Sequence, residues 1–95
     1  MMNATDKTEV AWMMGREGFS RQAVFEVFRL APAARRHAEN MCNAENYNYE
    51  RGEDALVRRA QAIALPEGWS VVFHGDPRGC VLKLEHEDGR EINVH

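Results

Sequence analysis

The sequence predicts an α+β domain: two to four N-terminal helices packed on one face of a three-stranded antiparallel β-meander. Three observations carry that prediction. Apolar residues recur at helical spacing up to about residue 64 and then alternate from Trp69 onward. Two turn-forming strings, Gly75-Asp76-Pro77-Arg78-Gly79 and Glu87-Asp88-Gly89, cut the alternating part into three. At 95 residues the chain has the length of one domain, so helices and strands must share one core. Residues 1–95 are therefore read as a single domain, with 1–5 frayed, 6–66 helical and 67–95 the meander.

The first helix is expected over residues 7–14, with Asp6 and Glu9 as a capping box. Val10, Met13 and Met14 form its apolar face, and Gly15 ends it. Ser20 is an N-cap for the next helix, with Phe19 and Val24 placed as a hydrophobic staple. Val24, Val27, Phe28 and Ala31 should face the core. Pro32 predicts a break, because its ring suits a first turn better than a helix interior. A further helix then runs to about Asn43 on Ala34, Ala38 and Met41. Residues 43–52 read as a loop. A last helix over 53–64 starts at Glu53 and Asp54, which suit a positive helix end. It turns Leu56, Ala60, Ile63 and Ala64 inward and closes at Pro66 and Gly68.

In the meander, apolar residues must share one face. That requirement pairs Phe73 with Cys80, Val71 with Leu82 and Trp69 with Leu84. It also pairs Leu84 with Ile92 and Leu82 with Val94. Gly89 then takes the left-handed position of a three-residue loop. On the outer face Val72, Val81 and His95 make one row, with Ser70, Lys83 and Asn93 in the next. Glu85 falls opposite Glu91. Like charges in that position destabilise a sheet, so Lys83 or Arg90 is expected to relieve them.

Charge bounds the function. The net charge of −3 argues against a general nucleic-acid binder. Residues 67–95 hold six acidic residues against three basic ones, so the sheet end is acidic. Arg outnumbers Lys ten to two, which we read as codon bias more than recognition chemistry. No apolar stretch approaches the roughly 20 residues of a membrane span, and the N-terminus reads as no signal segment. A cytoplasmic location is expected, with Cys42 and Cys80 free.

Candidate chemistry is sparse. Asp76, Pro77 and Gly79 occupy the first, second and fourth positions that a type I turn favours. The same turn would hold Arg78 outward as a recognition finger oriented by Asp76. Four histidines and the two cysteines are the metal-ligating types besides carboxylates, but they show neither CxxC nor HxxxH spacing. Nothing evident activates either thiol, and the paired carboxylates sit near turns in solvent. No metal, cofactor or catalytic set is expected, and the chain reads as a non-enzyme. Tyr47 and Tyr49, beside Arg51, suit a contact loop. Arg35, Arg36, Arg58 and Arg59 would form a basic patch if their helices lie side by side.

Three segments together resemble a known group. They are Ala38-Glu39-Asn40-Met41-Cys42-Asn43, Gly68-Trp69 through Phe73 into Gly75-Asp76-Pro77-Arg78-Gly79, and Asp88-Gly89-Arg90 with Asn93. Over residues 33–93 they resemble small uncharacterised proteins of bacteriophages and prophages. In those proteins a helix ending in Glu-x-x-Cys-Asn precedes a hairpin closed by Gly-Asp-Pro-Arg-Gly. An aromatic commonly follows that turn, where Cys80 stands here, and a Gly/Trp-containing tail often continues the chain. The resemblance implies a mobile-element accessory protein that binds and modulates a host complex, including anti-CRISPR-like inhibition of a defence complex. The expected partner has a basic surface. It would meet Asp76, Glu85 and Glu91 with Glu87 and Asp88, and Arg78, Tyr47 and Tyr49 would anchor it. The alternative is a nucleic-acid-binding accessory using the helical arginines and the two tyrosines. Free sheet edges leave monomer and homodimer evenly weighted.

Overall fold

Helix α1 spans Ala4–Arg16, α2 Arg21–Asn43 and α3 Tyr49–Gln61. Strands β1 (Trp69–Phe73), β2 (Leu82–His86) and β3 (Glu91–Asn93) follow. They form one antiparallel sheet in the order β1-β2-β3. This is the expected α+β arrangement, with the helices N-terminal. The computed structural model describes residues 4–95, with side chains from Lys7 onward. Residues 1–3 of the segment read as frayed lie outside the described residues. Among the described residues no helix is long and apolar enough to cross a membrane.

Several helix boundaries differ from expectation, and α3 also ends at Gln61 rather than 64. Asp6 lies inside α1 rather than before it, and its side chain is outside the described residues. Gly15 also lies inside α1. The helix is closed by Gly18, whose φ of +93° is a left-handed conformation. Phe19 N–H then donates to Met14 O at 3.0 Å, a Schellman-type closure. Ser20 caps α2 as expected, its Oγ accepting from Ala23 N–H at 3.0 Å.

The break at Pro32 does not occur. α2 runs through it for 23 residues, about 34 Å at the usual rise. Pro32 leaves the Phe28 carbonyl without its helical donor and is itself exposed. Ala23, Val27, Leu30, Ala31, Ala34 and Ala38 are buried on the opposite side of the helix. That continuous buried row, on both sides of the proline, offsets a penalty of about 3 kcal/mol. α3 likewise begins four residues early. Asn48 caps it, its Oδ1 accepting from Arg51 N–H at 3.1 Å. Residues 49–52, read as loop, are its first turn. Gly52 is there for space: an added Cβ would overlap the Tyr47 hydroxyl and lie 2.7 Å from His37 Nδ1.

The inner face of the sheet is as expected in kind. Leu82, Leu84 and Val94 have no exposure, Ile92 and Trp69 little, and Val71 and Phe73 are half-buried against the core. The β2–β3 register is also as expected, with Leu84 opposite Ile92 and Glu85 opposite Glu91. The closing loop is Glu87-Asp88-Gly89, with Gly89 at φ +101°. Lys83 Nζ lies 3.9 Å from Glu91 Oε2, which relieves the paired carboxylates.

The β1–β2 register is corrected by two residues. Phe73 pairs with Leu82, Val71 with Leu84 and Trp69 with His86. A shift of two keeps every side chain on its face, so alternation cannot detect it. The outer rows therefore become Val72–Lys83–Asn93 and Ser70–Glu85–Glu91. Val81 is not on the outer face, being fully buried. Val81 and Leu82 N–H both donate to His95 O, at 2.6 and 3.2 Å. Two residues thus oppose one, a β-bulge that turns Val81 inward.

At the end of the sheet near Gly68, Trp69 is enclosed. The Phe19 and His86 rings meet it edge-on, with centroids at 5.5 and 5.2 Å. The Arg90 guanidinium lies 5.5 Å from the Trp69 ring and also pairs with Asp88 and Glu17.

The Gly52 contact generates a prediction. Gly52→Ala should destabilise the fold by about 1–3 kcal/mol in urea unfolding, with an unchanged m-value. In a Tyr47→Phe background, which removes the overlapping hydroxyl, the cost of the same substitution should fall. Additive costs would show that the crowding lies elsewhere.

Candidate functional site

The Gly75–Gly79 turn is built as its residues dictate. Gly79 N–H donates to Asp76 O at 3.2 Å, closing a β-turn with Pro77 and Arg78 at its centre. Asp76 Oδ1 accepts from Arg78 N–H at 2.9 Å, an Asx-turn inside the β-turn. The two side chains then meet: Arg78 Nε donates to Asp76 Oδ1 at 3.1 Å and Nη2 to Oδ2 at 3.3 Å. Hydrogen bonds from the Arg78 side chain and backbone hold the Asp76 carboxyl below the usual carboxylate range. The Asp76 side chain correspondingly raises the Arg78 guanidinium. Arg78 nonetheless remains 90% exposed, so its outer edge is open to a ligand.

The turn is fastened from beneath by Arg35 of α2. Its guanidinium donates through Nη1 to Pro77 O and through Nη2 to Gly79 O, the latter at 3.1 Å. Its Nε donates to His95 Nε2 at 2.9 Å. One planar fork therefore joins a helix, a hairpin turn and residue 95, a task a lysine's point charge cannot copy. His95 must be neutral, with its proton on Nδ1, to accept that bond. Burial and then the Arg35 charge hold its pKa below the ordinary value. This arrangement was not legible in the sequence, where Arg35 read as one member of a basic patch with Arg36, Arg58 and Arg59.

A groove lies beside the turn. Its helical wall is Glu9, Val10 and Met13 of α1, and its strand wall is Glu91 and Asn93 of β3. Arg35, Arg78, Cys80 and His95 close the end at the turn. Two carboxylates along the walls and two guanidiniums at the end give it both signs of charge. Such a groove suits a polar, charged chain rather than an apolar small molecule.

The other predicted residues are placed as follows. Arg78 and Glu91 share the groove. Glu85 lies across the strand pair from Glu91. Tyr47 is elsewhere: half-buried, its Oη 2.6 Å from His37 Nδ1, holding the α2–α3 junction. Tyr49 opens α3 and is 50% exposed. Of the five acids expected to face a basic partner, Asp76, Asp88 and Glu91 carry the internal cationic partners Arg78, Arg90 and Lys83. Cys42 and Cys80 are free thiols, directed at the carbonyls of Gly75 and Leu82. Among the described residues no group of three His, Cys, Asp or Glu comes together. Trp12 and Phe25 were missed, although they are 61% and 56% exposed. Their signal was position: each is a large aromatic just off the apolar stripe of its helix.

The Arg35 fork generates two expectations. Arg35→Ala should cost about 1.5–3 kcal/mol, the range for hydrogen bonds from a charged donor, and Arg35→Lys should recover less than half of that. Faster amide exchange at Gly79 in both variants would locate the loss in the turn. His95, with its folded pKa lowered, binds its proton more readily when unfolded. Its contribution to stability is present above the unfolded pKa of about 6.5 and is lost as pH falls through the lower folded value. Urea midpoints should therefore drop from pH 7 to pH 5 more steeply in the native chain than in His95→Gln.

Comparisons with protein-family models, with curated proteins and with solved structures yield no match.

Proposed function

We propose that this chain is a non-enzymatic accessory protein that binds a partner protein complex and modulates it, with the Gly75–Gly79 turn as its contact point. One observation carries the reading: Arg78 stands 90% exposed on a turn whose backbone is tied to α2 by Arg35. Arg is a favoured interface anchor. A turn held rigid before contact loses little conformational entropy on binding. The groove beside it extends the contact along Glu91 and Asn93. Glu85 and Glu87, for which no internal ion pair is seen among the described residues, favour a partner with a basic surface. The resemblance of residues 33–93 to phage and prophage proteins points to a host complex as that partner, and to inhibition of a defence complex as the form of modulation.

The test is capture from bacterial lysate on tagged protein, with and without nuclease, followed by mass spectrometry. One nuclease-resistant complex should be retained by the native chain and lost by the Asp76→Ala, Arg78→Ala double variant. Recovery of nuclease-sensitive material alone would favour nucleic-acid binding instead. Capture unaffected by the double variant would remove the turn as the contact point.

A further inference from the structure

A second surface, sharing no residue with the turn or its groove, lies between α1 and α2. Trp12 on α1 and Phe25 on α2 are exposed by 61% and 56%, although both helices bury other apolar residues well. The helical wheel explains this. Around α2, Phe25 lies far from the buried row of Ala23, Val27, Leu30 and Ala34. Phe25, Arg29, Pro32 and Arg36, all exposed, recur along its outer side. Between the helices is a groove with Ala11, Val24 and Phe28 along its floor. Phe25 forms one side of it, and Trp12 stands one residue from Ala11 on α1.

The charges bordering this groove have one sign. Lys7 and Arg29 line it, and no acidic residue does among the described residues. Each cation is held over an aromatic face: Lys7 Nζ is 5.2 Å from the Phe28 ring and Arg29 Cζ is 5.6 Å from the Phe25 ring. Arg16 lies likewise 4.9 Å from the Trp12 ring. Two acidic residues of these helices whose side chains are described have other partners or places. Glu9 lines the β3 groove, and Glu26 accepts from Gln22 Nε2 at 2.8 Å.

We infer that the α1–α2 groove is a docking site for an acidic amphipathic helix of a partner protein. A groove between two antiparallel helices has the shape into which a third helix packs. Its apolar floor would take the Leu or Phe stripe of the incoming helix, and Lys7 and Arg29 its acidic flanks. A bilayer fits less well, since its surface would meet the crests at Trp12 and Phe25 and leave the recessed floor at Val24 and Phe28 unfilled. A second copy of this chain fits less well too. Its helix α3 balances Glu50, Glu53 and Asp54 against Arg51, Arg58 and Arg59, and the apolar Leu56 on it is already buried against the core.

The test uses two helical peptides of about 18 residues, long enough to present a continuous stripe. They share one leucine stripe and differ in carrying Glu or Lys flanks. Trp12 fluorescence reports binding, because the other tryptophan, Trp69, is buried at 8% exposure. The Glu-flanked peptide should bind at least about tenfold more tightly than the Lys-flanked one. Phe25→Ser combined with Arg29→Glu should weaken it by about tenfold or more. Both positions are exposed, so the urea midpoint of that variant should match the native chain. Equal binding of the two peptides, binding of neither, or indifference to the double variant would overturn the proposal. So would a Trp12 response confined to phosphatidylserine vesicles, or self-association in sedimentation that depends on Phe25.

Discussion

Everything in this molecule is arranged on α2. Its 23 residues hold only because one proline is placed where its cost is least. Pro32 removes a helical hydrogen bond and crowds the turn before it. With Pro32 exposed on the outer side of the helix, the defect lies away from the buried row. Had the proline stood one residue earlier, at buried Ala31, the same defect would have faced the core. The uninterrupted helix gives α1, α3 and the sheet a common support. Its first half buries Ala23, Val27 and Leu30, and its second half buries Ala34 and Ala38.

The same helix distributes its polar residues by angle. Arg35 leaves one flank to bind the hairpin turn and His95. His37 leaves another to meet Tyr47 over Gly52 of α3. Two residues apart on a helix means roughly 200° of rotation, so neighbouring side chains serve opposite sides of the fold. Each contact satisfies polar groups that partial burial would otherwise leave costly. Among the described residues no buried side-chain nitrogen or oxygen lacks a partner. The meander is held to the helices chiefly by Leu82, Leu84, Ile92 and Val94, and the polar contacts decide how it sits.

Rigidity and exposure coincide at the turn. Asp76 is committed to Arg78, and the backbone carbonyls behind them are committed to Arg35. What remains available is one edge of a guanidinium in a defined position. The α1–α2 surface has the opposite character: aromatic rings left uncovered, with cations resting on them. One surface offers directional hydrogen bonding and the other offers apolar area.

Local rules sufficed for much of the fold. The change from helical to alternating periodicity marked where helices end and strands begin. Ser20 was identifiable as a cap, Asp76–Gly79 as a β-turn and Gly89 as a left-handed loop residue. The Leu84–Ile92 register followed from a loop of fixed length. Asn48 is an equally local cap signal, standing inside the stretch 43–52 that reads as a loop. Other features could not be read locally. Alternation is blind to a shift of two, so the pairing of Trp69 with His86 rather than Leu84 depended on the wide loop around the Arg35-bound turn and the bulge at Val81. The continuity of α2 depended on which side of the helix met the core. The partners of Arg35 and Tyr47 depended on residues 60 and 10 positions away. Sequence by itself determined the kinds of element, their order and, Val81 apart, which residues of the meander face inward, because those follow from propensity and period. Tertiary structure alone decided register, the partners of the long polar side chains and which aromatics stay uncovered, because each depends on what packing brings alongside.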